Sequence, residues 1–250
     1  MQGKSEVTIL SQRLAGRLAL VTGASAGIGR ACALALAREG AEVIVTGRRK
    51  DRLDALAEAV PGHRMRFRVV PGDLADSAFV RRLIDAASAA DILVNNAGIL
   101  TYAPFLDLKP EECEAMFRVN VLAPLHLSQG IGAAMAARRR GHVIMITSLG
   151  ARTVNRFGVA YAATKHALSA IAKGMRLELK AFGVRVTEIA PGMVDTEIRE
   201  SSTHPDVVAA IEGRKFAPLS PGDVADAVIY ATTADDNCSA DLIELRPREA

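Results

Sequence analysis

Tyr161 and Lys165 have types and spacing that suggest chemistry. They stand four residues apart in a segment of helical periodicity, which places a phenol and an ammonium on one face of a helix, one turn apart. The pKa of free tyrosine is ~10, and a nearby ammonium favours the phenolate. Such a tyrosine can protonate a nascent alkoxide or accept a proton from an alcohol. Alone, the pair is equally typical of a helix surface.

Ser148 gives this pair a chemical context. It lies thirteen residues before Tyr161, directly after a predicted strand over 142–147. When hydride is transferred to a carbonyl group, the carbonyl oxygen accumulates negative charge. The Ser148 hydroxyl can hold this oxygen, which is the one that Tyr161 would protonate. We therefore predict that Ser148, Tyr161 and Lys165 are catalytic residues.

A glycine-rich turn lies between the first predicted strand and the helix after it. The stretch from Thr22 to Gly29 has the spacing G-x-x-x-G-x-G. Glycines let backbone N–H groups approach a pyrophosphate, and the helix N-terminus adds partial positive charge. A turn without a ligand is the alternative. If a dinucleotide binds here, oxidised nicotinamide would further favour the Tyr161 phenolate. The predicted contacts are Gly23, Ser25, Ala26, Gly27, Ile28 and Gly29.

Arg48 and Arg49 follow the second predicted strand. An acidic residue about 20 positions after the glycines would bind the ribose 2′-hydroxyl of NAD. No acid stands beside Arg48, nineteen residues after Gly29. A guanidinium complements a 2′-phosphate, so the turn predicts NADP(H) rather than NAD(H). Solvated arginines at a helix entrance are the alternative.

Polar residues also follow the third and fourth predicted strands. Asp73 could cap a helix or accept the adenine amino group. In a sheet of order 3-2-1-4-5-6-7, the stretch from Asn95 to Gly98 lies at the topological switch point, where ligands bind. These residues could bind the cofactor, lock the strand backbone, or do both. The predicted cofactor contacts here are Asp73, Leu74, Asn96, Ala97 and Gly98.

The elements that position these residues alternate between short β-branched runs and longer helical segments. This alternation predicts a single-domain α/β Rossmann fold, a doubly wound parallel seven-stranded sheet flanked by helices. The predicted strands are 18–22, 42–46, 66–70, 91–95, 142–147, 184–189 and 242–245. The predicted helices are 27–39, 50–60, 76–89, 110–138, 158–182 and 221–234.

The chain contains no linker-like or low-complexity stretch, which predicts one domain over 16–250. Residues 1–15 carry Lys4, Glu6 and Arg13 and lack a compact apolar run, so we expect a poorly ordered leader. The segment 193–215 has weak periodicity. We expect it to form a mobile substrate lid with some helix.

Composition excludes several classes of protein. The 250 residues include 31 basic and 28 acidic ones, a net charge of +3 spread along the chain, which argues against a nucleic-acid surface. Three cysteines cannot form a disulfide framework and suit a reducing cytosol. No apolar run approaches the ~18 residues of a membrane span. The histidines lack metal-ligand spacing. We therefore expect a cytoplasmic protein without metal, membrane or nucleic-acid partners.

In combination, these motifs resemble the short-chain dehydrogenase/reductase family. The matching segments run from Leu18 to about Thr196 and add Asn120 and the pair Pro191-Gly192 to the residues above. The resemblance implies that Asn120 holds a water in a proton relay beyond Lys165. By itself, Asn120 is typical of a helix kink or cap.

The resemblance also implies further cofactor contacts. Lys165 would bond the nicotinamide ribose, and the turn at 46–49 is similar to the NADP-preferring version of the family. The stretch after the sixth strand would meet the nicotinamide carboxamide, chiefly through Thr196. The contacts implied here are Pro191, Gly192, Val194 and Thr196.

The C-terminal part is similar to one subgroup of this family. Segments 221–228 and 241–247 resemble the serine 3-dehydrogenase and 3-hydroxy-acid dehydrogenase subgroup, and the reductase that forms clavulanic acid. The three residues between Tyr161 and Lys165 favour carbonyl or alcohol chemistry over enoyl reduction. The resemblance further implies a homodimer or homotetramer, joined through the long helices at 110–138 and 158–182.

These observations predict an NADP(H)-dependent oxidoreductase. It would transfer hydride between the nicotinamide and a ketone, aldehyde or alcohol of a small molecule, with Tyr161 as general acid/base. A substrate carboxylate could pair with Arg152 or Arg156, and His204 could contact substrate. The alternatives are a catalytically idle NADP-binding regulatory or scaffold protein, and an epimerase that uses the cofactor transiently. The other predicted pocket residues are Leu100, Tyr102, Val154, Asn155, Met193 and Val194.

Overall fold

Seven parallel strands form one sheet in the order β3-β2-β1-β4-β5-β6-β7, which confirms the predicted Rossmann fold. The computed structural model describes residues 12–59, 66–213 and 215–249. The strands are β1 (Leu18–Thr22), β2 (Glu42–Thr46), β3 (Phe67–Val69), β4 (Ile92–Asn95), β5 (Gly141–Ile146), β6 (Val184–Pro191) and β7 (Leu242–Leu245). The helices are α1 (Gly27–Arg38), α2 (Lys50–Glu58), α3 (Ser77–Ala86), α4 (Pro110–Phe117), α5 (Ala123–Ala137), α6 (Val159–Leu179), α7 (Pro205–Glu212) and α8 (Pro221–Thr233).

The apolar runs form strands that are buried on both faces. In β2, Val43, Ile44 and Val45 are each at most 1% exposed. Because side chains alternate along a strand, Val43 and Val45 join the core that contains Leu36 of α1, whereas Ile44 joins the core that contains Leu83 of α3. Helices on both faces of the sheet therefore explain why no polar residue interrupts these runs.

The strand order places the ends of β1 and β4 side by side. β1 pairs with β2 on one edge and with β4 on the other, so the crossovers leave in opposite directions at this point. Such a switch point opens a crevice at the carboxyl ends of the strands. The turns that follow β1, β4, β5 and β6 all face this crevice.

The helix predicted over 110–138 is interrupted. α4 passes into a π-helical turn at Arg118–Leu122 before α5 begins. Asn120 lies in this turn, where its side-chain amide bonds the backbone of Ile99 rather than following a helical surface. A π-turn of this kind often accompanies a functional side chain.

The N-terminal segment and the predicted lid are both described only in part. Most of the predicted leader lies outside the described residues. Leu14 is 3% exposed and donates its N–H to Glu39 O at 2.8 Å, so packed structure begins before residue 16. In the predicted lid, a short 3-10 turn at Glu197–Arg199 precedes α7, and Arg214 lies outside the described residues. Within the described ranges, no helix is both long and apolar enough to cross a membrane.

Candidate active site

Most of the predicted site residues line one cleft of about 1290 Å³ at the carboxyl edge of the sheet. The cleft extends from the glycine turn after β1 to the lid, where Val207 and Ile211 of α7 cover it. The two exceptions among the predicted cofactor and catalytic residues are Gly29 and Asn120, which are buried beside the cleft. The fold therefore brings residues from seven separate segments of the chain to one place.

The glycine turn leaves the start of α1 uncapped. Gly23 and Gly27 adopt positive φ angles of 68° and 50°, which L side chains rarely take. α1 begins at Gly27 without a side-chain cap and without an acid in its first turn. Its first N–H groups and the positive end of its dipole are therefore available to an anion in the cleft.

Gly29 has a packing role. A Cβ at this position would overlap Gly23 O and Asn96 Nδ2. The absence of a side chain therefore lets α1 approach the ends of β1 and β4, and the prediction that Gly29 contacts the cofactor stays a prediction.

Asn96 locks two strand ends together. Its Nδ2 donates to Thr22 O at 2.9 Å, and its backbone N–H donates to Thr22 Oγ1 at 3.0 Å. The N–H of Ala97 donates to the same hydroxyl at 3.0 Å. Of the two roles that the sequence left open, the strand lock is the one that this geometry supplies, while Asn96, Ala97 and Gly98 still line the cleft.

Asp73 forms a turn and does not cap a helix. Its Oδ1 accepts the N–H of Ala75 at 2.9 Å, whereas the cap of α3 is Asp76, which accepts the N–H of Ala78 at 2.8 Å. The capping alternative for Asp73 is therefore wrong. Asp73 and Leu74 both line the cleft, where an adenine contact stays a prediction.

Arg49 lies between the glycine turn and the lid. Its Nη2 and Nε donate to Ser25 Oγ at 3.2 and 3.3 Å, and its Nη1 donates to Glu197 Oε2 at 2.7 Å. Arg52 donates to both oxygens of the same carboxylate at 2.7 and 2.9 Å. Arg48 is exposed at the same end of the cleft. These hydrogen bonds hold the pKa of Glu197 below its ordinary value.

Ser148, Tyr161 and Lys165 meet at the cleft floor. Ser148 lies close enough to Tyr161 to favour the ionised form of the phenol. A Cβ at Gly150 would lie 3.3 Å from Ser148 Oγ and 3.8 Å from Tyr161 Cε1. Lys165 Nζ lies 5.6 Å from the Tyr161 ring centroid and donates to Ile146 O at 3.0 Å. One carbonyl oxygen could therefore contact both hydroxyls.

Burial opposes charge on both ionisable groups. It raises the pKa of Tyr161, as does Tyr102, and these effects outweigh the opposing effect of Ser148 and the charge of Arg199. Burial lowers the pKa of Lys165 to about 8. The pKa lowering that the sequence predicted from Lys165 does not appear in this structure, because desolvation disfavours the charged form of each side chain.

Asn120 holds the loop after β4 in place. Its Oδ1 accepts the N–H of Ile99 at 2.8 Å, while its Nδ2 donates to Ile99 O at 2.8 Å and to Thr164 Oγ1 at 3.2 Å. Thr164 precedes Lys165 on α6, so this bond connects the π-turn to α6. The proton-relay role that the resemblance implies for Asn120 stays a prediction.

Arg152 belongs to an ionic network outside the cleft lining. Its Nη2 lies 2.8 Å from Glu188 Oε1, and its Nε lies 3.1 Å from Glu244 Oε1. Glu188 is 1% exposed and also accepts the hydroxyls of Thr147 and Ser169. The prediction that Arg152 pairs with a substrate carboxylate is wrong, because protein carboxylates already bind its guanidinium.

Arg156 remains a candidate for that role. It lines the cleft, with its guanidinium 4.6 Å from the centroid of the Phe157 ring. Val154, by contrast, is 61% exposed and lies off the cleft wall.

The lid contacts the loop after β4. Ser201 Oγ donates to Leu100 O, and Ser202 Oγ accepts the N–H of Tyr102 at 3.0 Å. His204 accepts the N–H of Asp206 and so caps α7. His204 lies outside the cleft lining, and a substrate contact through it stays a prediction.

Sequence reasoning missed several residues that line the cleft, because nothing near them in sequence indicates a site. They include Ala115, Val119, Phe216, Arg246 and Pro247. Within the described part of the chain, no group of three or more His, Cys, Asp or Glu side chains could hold a metal.

Comparisons with known proteins identify the family of this chain. The family model for short chain dehydrogenases matches residues 17–206. The chain is 35% identical over 238 residues to an uncharacterised oxidoreductase of Staphylococcus haemolyticus, covering 94% of this chain and 98% of that one. It has the same identity and coverage with an uncharacterised oxidoreductase of Staphylococcus aureus.

Solved structures give the same result. The closed form of serine dehydrogenase complexed with NADP⁺ is 29% identical, with a TM-score of 0.83 and coverage of 91% of this chain and 94% of that one. A gluconate 5-dehydrogenase from Burkholderia cenocepacia in complex with NADP and tartrate is 30% identical, with a TM-score of 0.81 and coverage of 95% and 96%. The family model, the sequence relatives and the fold agree, and the chain belongs to the short-chain dehydrogenase/reductase family of oxidoreductases.

Proposed function

We propose that this protein is an NADP(H)-dependent oxidoreductase that interconverts a ketone or aldehyde and an alcohol of a small molecule. The observation that carries the proposal is that Ser148, Tyr161 and Lys165, the last one turn along α6, line one cleft with the glycine turn. The likeness to a serine dehydrogenase and a gluconate 5-dehydrogenase supports an alcohol or carbonyl substrate.

Ser148 and Tyr161 have different roles in the proposed hydride-transfer reaction. When bound, the nicotinamide supplies or accepts the hydride. Ser148 Oγ binds the substrate oxygen and holds it against the Tyr161 hydroxyl. Tyr161 donates its proton to that oxygen as negative charge develops there. The raised pKa of Tyr161 keeps the phenol protonated at neutral pH, as reduction of a carbonyl requires.

Lys165 supports this proton transfer through its charge. Its pKa of about 8 leaves it mainly an ammonium at neutral pH, and the charge stabilises a tyrosinate formed by proton donation. Its hydrogen bond to Ile146 O fixes the ammonium beside the ring. We also assign to it a contact with the nicotinamide ribose, and to Asn120 the water of a proton relay.

The cleft fits a dinucleotide phosphate. The uncapped N-terminus of α1 with Gly23, Ser25, Ala26, Gly27 and Ile28 would hold the pyrophosphate. Arg48 and Arg49 would hold the 2′-phosphate, and the NADP complexes among the similar structures support this preference. The remaining contacts would come from Gly29, Asp73, Leu74, Asn96, Ala97, Gly98, Pro191, Gly192, Val194 and Thr196.

We further propose that the segment 193–215 closes over substrate and that the protein is cytoplasmic. We also propose assembly into a homodimer or homotetramer through α4, α5 and α6. The 81% exposure of Leu177 on α6 is consistent with a covered position in such an assembly.

A screen of NADPH oxidation against β-keto acids, aldehydes and cyclic ketones tests the proposal. Tyr161→Phe should lower kcat by roughly 10²-fold or more, because general acid catalysis contributes that much. Tyr230→Phe is the matched control, since Tyr230 is 60% exposed on α8 and should leave turnover unchanged. Turnover that survives Tyr161→Phe would contradict the mechanism.

A further inference from the structure

Glu197 binds the guanidinium groups of Arg49 and Arg52, and Arg49 also bonds Ser25 of the glycine turn. One carboxylate accepts three hydrogen bonds, one from Arg49 at 2.7 Å and two from Arg52 at 2.7 and 2.9 Å. The partners come from α2 and its entry turn on one side and from the lid on the other, almost 150 residues apart in the chain. This is a contact between two functional segments.

The lid crosses the cleft to make this contact. Thr196, the residue before Glu197, lies over the glycine turn, since a Cβ at Gly27 would be 2.9 Å from Thr196 Cγ2. On the far side of Arg49, Ser25 Oγ accepts two of its N–H groups. The Arg49 guanidinium is therefore fixed beside the glycine turn, and the Glu197 carboxylate of the lid binds its Nη1.

A carboxylate and a phosphate compete for the same guanidinium donors. Both bind the planar N–H fork through paired oxygens, and a phosphate dianion carries more charge. Both cannot occupy Arg49 Nη1 at once. Binding of a 2′-phosphate at this turn thus requires Glu197 to move or to lose hydrogen bonds.

We propose that Glu197 is a specificity-determining residue that couples the coenzyme to the lid. The 2′-phosphate binds Arg49 and Arg52 in place of Glu197, and the loss of these hydrogen bonds releases the lid turn at Glu197–Arg199. The inference rests on the proposed preference for NADP(H). The lid turn stays tethered further along by Ser201 and Ser202, which bond Leu100 and Tyr102. We therefore expect the release to be confined to the turn at Glu197–Arg199, next to Thr196.

Two ligands isolate the effect of the 2′-phosphate without nicotinamide. Adenosine 2′,5′-bisphosphate carries this group, and adenosine 5′-monophosphate lacks it. Hydrogen exchange at the amides of residues 197–202 is the readout, since the Glu200 and Ser202 N–H groups bond within the turn. In the wild-type protein the bisphosphate should speed exchange there and the monophosphate should not. Slower or unchanged exchange with the bisphosphate would overturn the inference.

Glu197→Gln keeps the shape of the side chain and removes its charge. Calorimetric titration should give a Kd for NADPH that is lower by roughly 1.5-fold to fivefold, which is the range for loss of an exposed ion pair. The Kd for NADH should be unchanged. The same variant should show fast exchange at 197–202 without ligand. Glu212→Gln, an exposed carboxylate on α7 outside the cleft lining, is the matched control and should match wild type in both measurements.

The outcomes separate the two proposals. Wild-type protein that binds NADH as tightly as NADPH contradicts the NADP(H) preference and the inference with it. Preference for NADPH in the wild type, combined with an unchanged NADPH Kd in Glu197→Gln, contradicts the inference alone.

Discussion

Replacing Arg152 with methionine removes the cation from a buried network and leaves the Glu188 carboxylate behind. Glu188 is 1% exposed, and breaking a buried ion pair by removing one partner costs about 3–5 kcal/mol. Arg152 is 23% exposed, and the hydroxyls of Thr147 and Ser169 keep two hydrogen bonds to Glu188. We therefore expect Arg152→Met to lower the free energy of unfolding by about 2–3 kcal/mol.

Urea denaturation of the variants measures this loss. The double variant Arg152→Met/Glu188→Gln should recover at least half of it, because no buried charge then lacks its partner. Lys50→Met is the control, since Lys50 and Asp54 form an exposed pair that should contribute less than about 0.5 kcal/mol. A loss under about 1 kcal/mol for Arg152→Met, or a double variant no more stable than the single one, would refute the reasoning.

Two further predictions concern packing and pH. Gly29→Ala should weaken NADPH binding and lower Tm, because the added Cβ overlaps Gly23 O and Asn96 Nδ2. Gly174→Ala is the control, since there is open space around its added methyl; NADPH binding should be unchanged, and Tm should be unchanged or slightly higher. Burial lowers the pKa of His142 to about 3, so below pH 6.5 the unfolded chain binds a proton that the folded chain does not. The free energy of unfolding of the wild-type protein should therefore fall with decreasing pH, and this residue should account for about 2 kcal/mol of the loss at pH 5. In urea denaturation at several pH values, His142→Asn should remove this contribution to the pH dependence. Equal slopes in the two proteins would contradict the assignment.

The sequence predicted most of the fold because its signals are local. A run such as Val43 to Val45 is apolar on both faces, and only a covered parallel strand accommodates that pattern. The spacing of Tyr161 and Lys165 likewise depends on one helix alone. Both features were visible without any tertiary contact.

The features that the sequence did not predict depend on distant partners. Arg152 has its carboxylates at Glu188 and Glu244, and Arg49 meets Glu197 across the cleft. No local pattern indicates which charges meet after folding. The pKa of Tyr161 is a similar case, since desolvation depends on the surrounding protein, including Tyr102, and not on the helix that carries the phenol.

The amide of Asn96 has a consequence for how this sequence can vary. Its Nδ2 would lie 2.9 Å from a Cβ at Gly23 and would overlap one at Gly29, while it bonds Thr22 O across the strand ends. Three positions separated by up to 73 residues thus share one small volume. A larger residue at 29 is tolerable only with a shorter side chain at 96 and a displaced backbone at 23, and one at 23 also requires the backbone of Ala97 to move. Evolutionary change at these sites must therefore be concerted.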